Sequence, residues 1–225
     1  MTPIGLLPTV EFETGNHPSR TILWMHGLGA DGNDFVPIVR ELDLPSNTPV
    51  RFIFPHAPMR PVTVNGGFMM RAWYDIANPD LSRHEDEAGL RDSQHAIETL
   101  IDREKQRGIA PENIVLAGFS QGGAIALQSG LRYPEKLAGI MALSCYLPLA
   151  QTLVAEAHRA NSATPIFMAH GNHDPVIPIT LATASRQQLL ESGYAVEWHE
   201  YPMAHSVCVE EIADISAWLQ RVLTY

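Results

Sequence analysis

Gly118-Phe119-Ser120-Gln121-Gly122 is the segment whose residue types and spacing point most directly to chemistry. A run of apolar strand formers, 114–117, leads into it, and a small-residue helical stretch, 123–126, follows it. A G-x-S-x-G motif in this context is typical of a nucleophile elbow, a sharp turn that exposes the serine hydroxyl above the edge of a sheet. The glycines let strand and helix approach closely while the serine holds a backbone conformation that most residues avoid. The pattern predicts that Ser120 is a nucleophile.

An activated serine needs a general base and a group that orients this base. Two loops qualify: predicted strand 166–169 runs into the loop that carries Asp174, and predicted strand 196–201 runs into the loop that carries His205. Functional groups in open α/β sheets gather at the carboxyl ends of the strands, where both loops lie. The chain order serine, aspartate, histidine is that of the α/β-hydrolases. We therefore expect Ser120 to attack an acyl carbonyl, His205 to carry the proton and Asp174 to orient the imidazole.

Each of these residues also has a plain structural interpretation. Ser120 could belong to a strand–helix turn that serves only packing, and His205 could be an exposed loop residue that caps the following helix. Asp174 precedes a proline, and Asp-Pro is ordinary turn chemistry. A zinc site at His170, His173 and Asp174 is a further alternative, since imidazole and carboxylate suit that metal. No HExxH motif or second ligand cluster accompanies them, so we predict no metal and no cofactor.

The elements that must position these residues follow from the apolar patterning. Short apolar runs alternate with amphipathic helical patterns, which predicts βα units and a mostly parallel central sheet flanked by helices. The predicted strands cover residues 22–25, 50–54, 114–119, 139–144, 166–169 and 196–201. The predicted helices cover about 34–42, 87–107, 121–131, 179–191 and 207–223. No repeat or linker interrupts them, so we expect one domain over residues 1–225.

Composition excludes several classes of function. A formal net charge of -10 argues against nucleic acid or an anionic membrane surface as a partner. The longest apolar runs are too short to span a membrane. Residues 1–5 lack the basic and apolar regions of a secretory signal, so a cytoplasmic protein is expected. In that compartment Cys145 and Cys208 are expected to be reduced thiols.

Motifs spread over nearly the whole chain resemble those of the phospholipase/carboxylesterase family of small α/β-hydrolases, which includes the acyl-protein thioesterases. The segments that carry the resemblance are 26–31, 55–58, 65–67, 72–75, the GFSQGG run at 118–123, 170–171 with 174–176, and 201–203. One departure is Ala204, where members of the family often have glycine before the histidine. The resemblance implies a single-domain α/β-hydrolase. The connection between strands 139–144 and 166–169 is too short for a large lid.

A tetrahedral oxyanion needs preorganised donors. The backbone N–H of Gln121 follows the predicted nucleophile directly. The second predicted donor is the N–H of Leu28, because Gly27 and Gly29 let the loop after strand 22–25 turn an amide toward the substrate. His26 stands beside this loop, and a loop-bracing hydrogen bond is favoured over a catalytic role for it.

Substrate preference is expected in the segment from 56 to 76, which combines turn residues with many methionines and aromatics. The predicted substrate-binding residues are Phe68, Met70, Trp73 and Tyr74. The alternative is that these side chains are ordinary core, and the segment could equally cover a partner copy in a homodimer.

These observations predict a serine carboxylesterase that acts on short to medium acyl esters through an acyl-enzyme intermediate. An acyl-protein thioesterase or a lysophospholipase is the alternative within the same chemistry. A noncatalytic binding protein with a hydrolase fold is the alternative from another class, although such a protein has no need of an intact triad. The expected partner is a small-molecule ester or thioester, with no nucleic acid and no stable membrane insertion.

Overall fold

Apolar runs of the sequence form the strands of a central sheet in the computed structural model, which describes residues 5–45, 47–78 and 85–224. Residues 1–4, part of the segment considered for a secretory signal, lie outside the described residues. The strands are β1 (Thr9–Glu13), β2 (Arg20–Met25), β3 (Val50–Pro55), β4 (Met59–Val62), β5 (Phe68–Arg71), β6 (Ile114–Phe119), β7 (Gly139–Leu143), β8 (Ile166–Gly171) and β9 (Val196–Tyr201). The α-helices are α1 (Glu87–Gln106), α2 (Gln121–Arg132), α3 (Leu153–Glu156), α4 (Ile179–Glu191) and α5 (Val209–Leu223).

Seven strands pair in the order β1-β3-β2-β6-β7-β8-β9. Every neighbouring pair is parallel except β1 with β3, which is antiparallel. The predicted mostly parallel sheet is therefore confirmed. Gly118 of β6 is level with Met25 of β2 and Ala142 of β7, so the loops that leave these strands emerge side by side.

Helices cover both faces of the sheet because side chains alternate between faces along each strand. One face packs under α1, α2 and α4, with core residues such as Leu23, Leu116 and Ile140. The opposite face packs under α5, and Trp218 is one of its core residues. One apolar stripe of α1 is buried against the sheet: Leu90, Ala96, Ile97, Leu100 and Ile101. The helix ends before Gly108, whose φ of 89° is the left-handed conformation of a helix C-terminus.

The structure differs from the sequence-based expectations in three places. The helix predicted over 34–42 is only a 3₁₀ helix, Val36–Arg40, which has a proline in its first turn. Strand β1 was not predicted, because an edge strand with half-exposed and exposed side chains lacks an apolar run. The segment 56–76, in which substrate preference is expected, contains regular structure that the sequence did not indicate: β4 and β5 form an antiparallel hairpin. Gly66 and Gly67 close that hairpin with φ values of 68° and 77°.

The connection between β7 and β8 contains α3 and two 3₁₀ turns, 150–152 and 159–161. None of the helices in the described ranges is long and apolar enough to cross a membrane. Cys145 and Cys208 are both free thiols, as expected.

Candidate active site

Ser120 lies at the sharp turn between β6 and α2, with φ 56° and ψ −122°. Two neighbouring glycines make this turn sterically feasible. A Cβ on Gly118 would lie 2.2 Å from the carbonyl carbon of Gly122, and a Cβ on Gly122 would lie 2.2 Å from the carbonyl oxygen of Met25. The backbone N–H of Ser120 donates to the carbonyl of Leu143 at 2.8 Å, which ties the turn to β7. The strained backbone of Ser120 is the conformation that the sequence motif predicted.

Asp174 is held by the turn that follows β8. Its Oδ1 accepts the backbone N–H groups of Val176 at 2.8 Å and Ile177 at 2.9 Å. Its Oδ2 lies 2.6 Å from Nδ1 of His205. Asp174 is 9% exposed, so this charge-assisted hydrogen bond is largely screened from water. The carboxylate thus has one oxygen for its own turn and one for the imidazole.

The loops that carry Asp174 and His205 pack directly on each other. A Cβ on Gly171 would lie 2.4 Å from the carbonyl oxygens of Met203 and Ala204, so only glycine permits this approach. The N–H of Asn172 donates to the carbonyl of Tyr201 at 2.8 Å, and the N–H of His173 donates to that of Met203 at 3.1 Å. Ala204 therefore takes part in the loop contact through its backbone.

The imidazole of His205 also contacts the elbow. Its ring centroid lies 4.7 Å from that of Phe119, the residue before Ser120. Phe119 in turn lies 5.6 Å from the ring of Phe35. His205 is thus fixed on one side by the Asp174 carboxylate and on another by an aromatic side chain of the elbow.

The two predicted oxyanion donors belong to residues that line the same cavity as Ser120, namely Leu28 and Gln121. In the part of the chain that the structure describes, neither backbone N–H donates to another protein group. The loop that carries Leu28 is anchored beside it, because the N–H of Gly29 donates to the carbonyl of Arg71 at 2.9 Å. Stabilising an oxyanion requires backbone donors that are not already paired with protein groups, and these two N–H groups meet that requirement.

His26 braces the loop of Leu28 from below. Its Nε2 accepts the N–H of Ala57 at 3.1 Å, so Nδ1 carries the proton and donates to the carbonyl of Gly27 at 2.7 Å. Burial lowers the pKa of His26 to about 4, which leaves the ring neutral near pH 7. Its carbonyl accepts the indole N–H of Trp73 at 2.8 Å. These contacts agree with the loop-bracing interpretation of His26.

A cavity of about 260 Å³ opens beside Ser120. Its walls are mainly apolar, and its lining residues are Leu28, Val64, Asn65, Tyr74, Ile76, Ser120, Gln121, Tyr146, Val176 and Ile177. Of the four residues predicted to contact the acyl group, Tyr74 lines this cavity. Its hydroxyl lies 3.0 Å from that of Tyr146.

The lining does not include the other three residues predicted to contact the acyl group. Trp73 is completely buried in the core, Phe68 is 73% exposed on the hairpin, and the sulfur of Met70 accepts a hydrogen bond from Asn65. The sequence analysis missed Val176 and Ile177, although they follow Asp174 within the same turn. Their position next to the predicted acid was the available signal.

The side chain of Gln121 has a role that its sequence motif did not reveal. Its Oε1 accepts the N–H of Trp73 at 3.1 Å, and its Nε2 donates to the carbonyl of Tyr74 at 3.0 Å. The residue after Ser120 thus fixes the backbone of the cavity wall.

Comparisons with known proteins agree with this architecture. A family model described as phospholipase/carboxylesterase matches residues 9–223. The chain is 43% identical to acyl-protein thioesterase 1 of Neurospora crassa over 230 residues, which is 98% of this chain and 92% of that protein. It is 38% identical to acyl-protein thioesterase 1 of Gibberella zeae, with 97% of both chains covered.

Solved structures give the same result. The crystal structure of Arabidopsis thaliana SOBER1 superposes with a TM-score of 0.86 at 32% identity and covers 91% of this chain and 99% of that chain. Acyl-protein thioesterase 2 of Zea mays superposes with a TM-score of 0.83 at 28% identity, covering 96% and 99%.

Proposed function

Because this chain belongs to the phospholipase/carboxylesterase family of α/β-hydrolases, we propose that it hydrolyses esters and thioesters of short to medium acyl chains through a Ser120–His205–Asp174 triad. The family and the close relatives identify the chain as a serine hydrolase of esters and thioesters. The proposal adds which residues perform the reaction and how long the preferred acyl chain is. The observation that carries it is the 2.6 Å hydrogen bond between Asp174 and His205, next to the strained turn of Ser120.

In the proposed mechanism, the Ser120 hydroxyl attacks the acyl carbonyl while Nε2 of His205 takes the hydroxyl proton. The imidazolium is stabilised at Nδ1 by the carboxylate of Asp174. The N–H groups of Leu28 and Gln121 receive the oxyanion. When the tetrahedral intermediate collapses, His205 gives its proton to the departing alcohol or thiol. Water then attacks the acyl-serine with the same base, which releases the carboxylic acid and restores Ser120.

The size of the cavity supports the acyl length. Its volume of about 260 Å³ is slightly below the roughly 300–1,000 Å³ that is usual for sites of drug-sized ligands. Apolar walls favour a hydrocarbon group over a charged one. A short to medium acyl chain fits both properties.

Removal of acyl groups from proteins is the second candidate, and the names of the relatives favour it, since both fungal proteins are called acyl-protein thioesterase 1. Two lining residues, Val64 and Val176, are 38% and 57% exposed, so the cavity opens at the protein surface. An acyl group that is attached to a larger carrier could enter there. A lysophospholipid would enter through the same opening. The noncatalytic alternative has no support from the family, whose members are named as hydrolases.

The proposal is tested by measuring nitrophenyl esters from acetyl to palmitoyl, together with matched acyl thioesters, on one preparation. We expect turnover of both classes with a maximum at short to medium chains. Ser120→Ala and His205→Ala should abolish it, whereas the matched control Ser162→Ala, an exposed serine in the 3₁₀ turn region before β8, should retain it. Turnover that survives in Ser120→Ala would refute the proposed nucleophile. A maximum at palmitoyl would refute the proposed chain length.

A further inference from the structure

His170 is a buried histidine that the proposed mechanism does not use. It lies in β8, four residues before Asp174, and is 1% exposed. Its Nε2 lies 2.9 Å from the carbonyl oxygen of Ile177 and 3.4 Å from Oδ2 of Asp174. Its Nδ1 has no hydrogen-bond partner among the residues that the structure describes. A carbonyl can only accept, so Nε2 carries a proton and is the donor in this bond.

The bond from His170 closes the turn that holds Asp174. Ile177 receives the imidazole N–H on its carbonyl and donates its own N–H to Oδ1 of Asp174 at 2.9 Å. The two hydrogen bonds therefore hold the two peptide units that flank Ile177. If the His170 donor were lost, the Ile177 carbonyl would be left unpaired, and the turn would lose a side-chain contact with β8.

The same turn also forms one wall of the acyl cavity. Val176 and Ile177 both line the cavity beside Ser120. A displacement of this turn would thus move the carboxylate away from His205 and change the shape of the space that receives the acyl chain. Besides the Asp174 side chain itself, the imidazole of His170 contacts both the acid and this wall.

We propose that His170 is a positioning residue that couples the triad acid to the acyl-binding wall by fixing the turn from Asp174 to Ile177. This inference rests on the proposed function and adds a determinant of chain-length selectivity to it. His170 touches neither the acyl group nor the reacting serine, so its effect passes through Asp174 and Ile177.

The charges around His170 are compatible with this role. Asp174, His205 and Glu200 are the charged or titratable side chains that act on it most strongly, and burial is the dominant influence, which lowers the pKa of His170. A neutral ring near pH 7 does not compete with His205 as a cation for Oδ2 of Asp174. The carboxylate charge thus remains available to His205.

The test compares His170→Gln, His170→Leu and His170→Asn in the full chain. The amide nitrogen of glutamine can reach the position of Nε2, whereas leucine has no donor and the asparagine amide is too short to reach Ile177. We measure kcat, KM, the pH profile of kcat/KM and the ester chain-length series. A misplaced catalytic group can reduce the rate by about 10²-fold. We expect the leucine variant to lose at least tenfold in kcat, with a shifted pH profile and an altered chain-length maximum.

The glutamine variant should recover most of this loss, and the asparagine variant should behave like the leucine variant, which keeps the test decisive if leucine prevents folding. His199→Leu on the neighbouring strand is the matched control, because His199 pairs in register with Ala169 and bonds to Glu197, outside the site. This control should retain the pH profile and the chain-length maximum.

Two results would overturn the inference. One is a folded leucine variant with wild-type kcat, pH profile and chain-length series. The other is an equal loss in all three variants with no change in pH profile or selectivity, which would indicate packing alone. In the same assay, a wild-type enzyme whose turnover is abolished by Ser120→Ala upholds the proposed function independently. An inactive wild type would overturn the proposed function and this inference with it.

Discussion

The catalytic edge (residues 118–122, 170–177 and 201–205) and the β4–β5 hairpin (residues 59–71) border the same site but are built differently. In the catalytic edge, Gly118, Gly122 and Gly171 each have backbone atoms 2.2 to 2.4 Å from where a Cβ would lie. In the hairpin, a Cβ on Gly67 would meet nothing within 4 Å. Phe68 is 73% exposed there, whereas Ser120 is 8% exposed.

This difference separates two tasks. The proposed triad depends on three loops that hold one another through backbone contacts. A side chain at Gly118, Gly122 or Gly171 would therefore collide with backbone atoms. The hairpin presents apolar side chains such as Phe68 and Met69 to solvent. We infer that the chemistry of the site is fixed by close backbone packing and that the surface around its entrance tolerates substitution. The following predictions test that contrast.

Asp174→Asn should have the largest effect. The amide oxygen can still accept the N–H groups of Val176 and Ile177, but the amide NH₂ would face Nδ1 of His205 and select the wrong tautomer. For a serine hydrolase triad this change lowers kcat by ~10⁴-fold with the fold intact. Steady-state kinetics with a nitrophenyl ester measure it. Asp214→Asn is the control, since that carboxylate accepts the Tyr201 hydroxyl rather than a group of the proposed triad. A loss below about tenfold would contradict the proposed role of Asp174.

Gly122→Ala and Gly67→Ala form a matched pair across the two regions. The first places a methyl group 2.2 Å from the Met25 carbonyl oxygen, an overpacking expected to cost about 3 kcal/mol or more together with most of the activity. The second meets no neighbour but keeps a φ of 77°, which costs about 1–2 kcal/mol and should leave kcat unchanged. Denaturant unfolding and kinetics on both variants check this. Equal losses of activity would remove the contrast between the regions.

The free energy of unfolding should depend on pH through Glu211, which lies near the catalytic edge. It lies in the first turn of α5 after the His205 loop and is fully buried. Burial raises its pKa to about 8 from 4.5. Because the folded chain holds this proton more tightly than the unfolded chain, its contribution is complete below pH 4.5 and is lost as the pH rises to about 8.

Glu211→Gln should therefore stabilise the protein at pH 9 and have little effect at pH 4. The difference should grow with a limiting slope of about 1.4 kcal/mol per pH unit between these limits. Unfolding curves across the range measure it, with the exposed neighbour Glu210→Gln as control. A difference that does not depend on pH would show that Glu211 ionises normally in the folded chain.

Phe68→Ser should have the smallest effect. Its side chain is 73% exposed at the start of β5, so the free energy of unfolding should change by no more than about 0.5 kcal/mol. Turnover of short esters should stay within about twofold of wild type, a change of roughly 0.4 kcal/mol in the barrier. A large loss of short-ester activity would place Phe68 in the acyl site and require a different shape for the cavity.

The sequence predicted the catalytic edge better than the hairpin for a physical reason. A parallel strand such as β6 is buried on both faces, so its apolar run marks it clearly. The loops after such strands share one sheet edge, which is how Ser120, Asp174 and His205 could be assigned together. The bond between His170 and Ile177 could not be predicted, because it depends on how the turn folds back onto β8 rather than on any spacing.

The hairpin lacked these signals. Strands β4 and β5 have four residues each and mostly exposed or half-buried side chains. Pro61 lies within β4, and proline argues against a strand in sequence patterns. An aromatic residue such as Trp73 suits contact with an acyl chain, which is why the sequence indicates a substrate-binding role for it. The burial of Trp73 against His26 and Gln121 depends on contacts between residues about 47 positions apart in the sequence, which local patterning does not encode.

Covalent labelling by a fluorophosphonate tests the central claim most directly, since the reagent reacts with a serine only when a base and an oxyanion site activate it. We predict that intact-protein mass spectrometry shows one label per wild-type chain and that peptide mapping places the label on Ser120. Labelling should be absent in Ser120→Ala and strongly slowed in His205→Ala. A folded wild-type protein that remains unlabelled, or a label that persists in Ser120→Ala, would contradict the proposed active site.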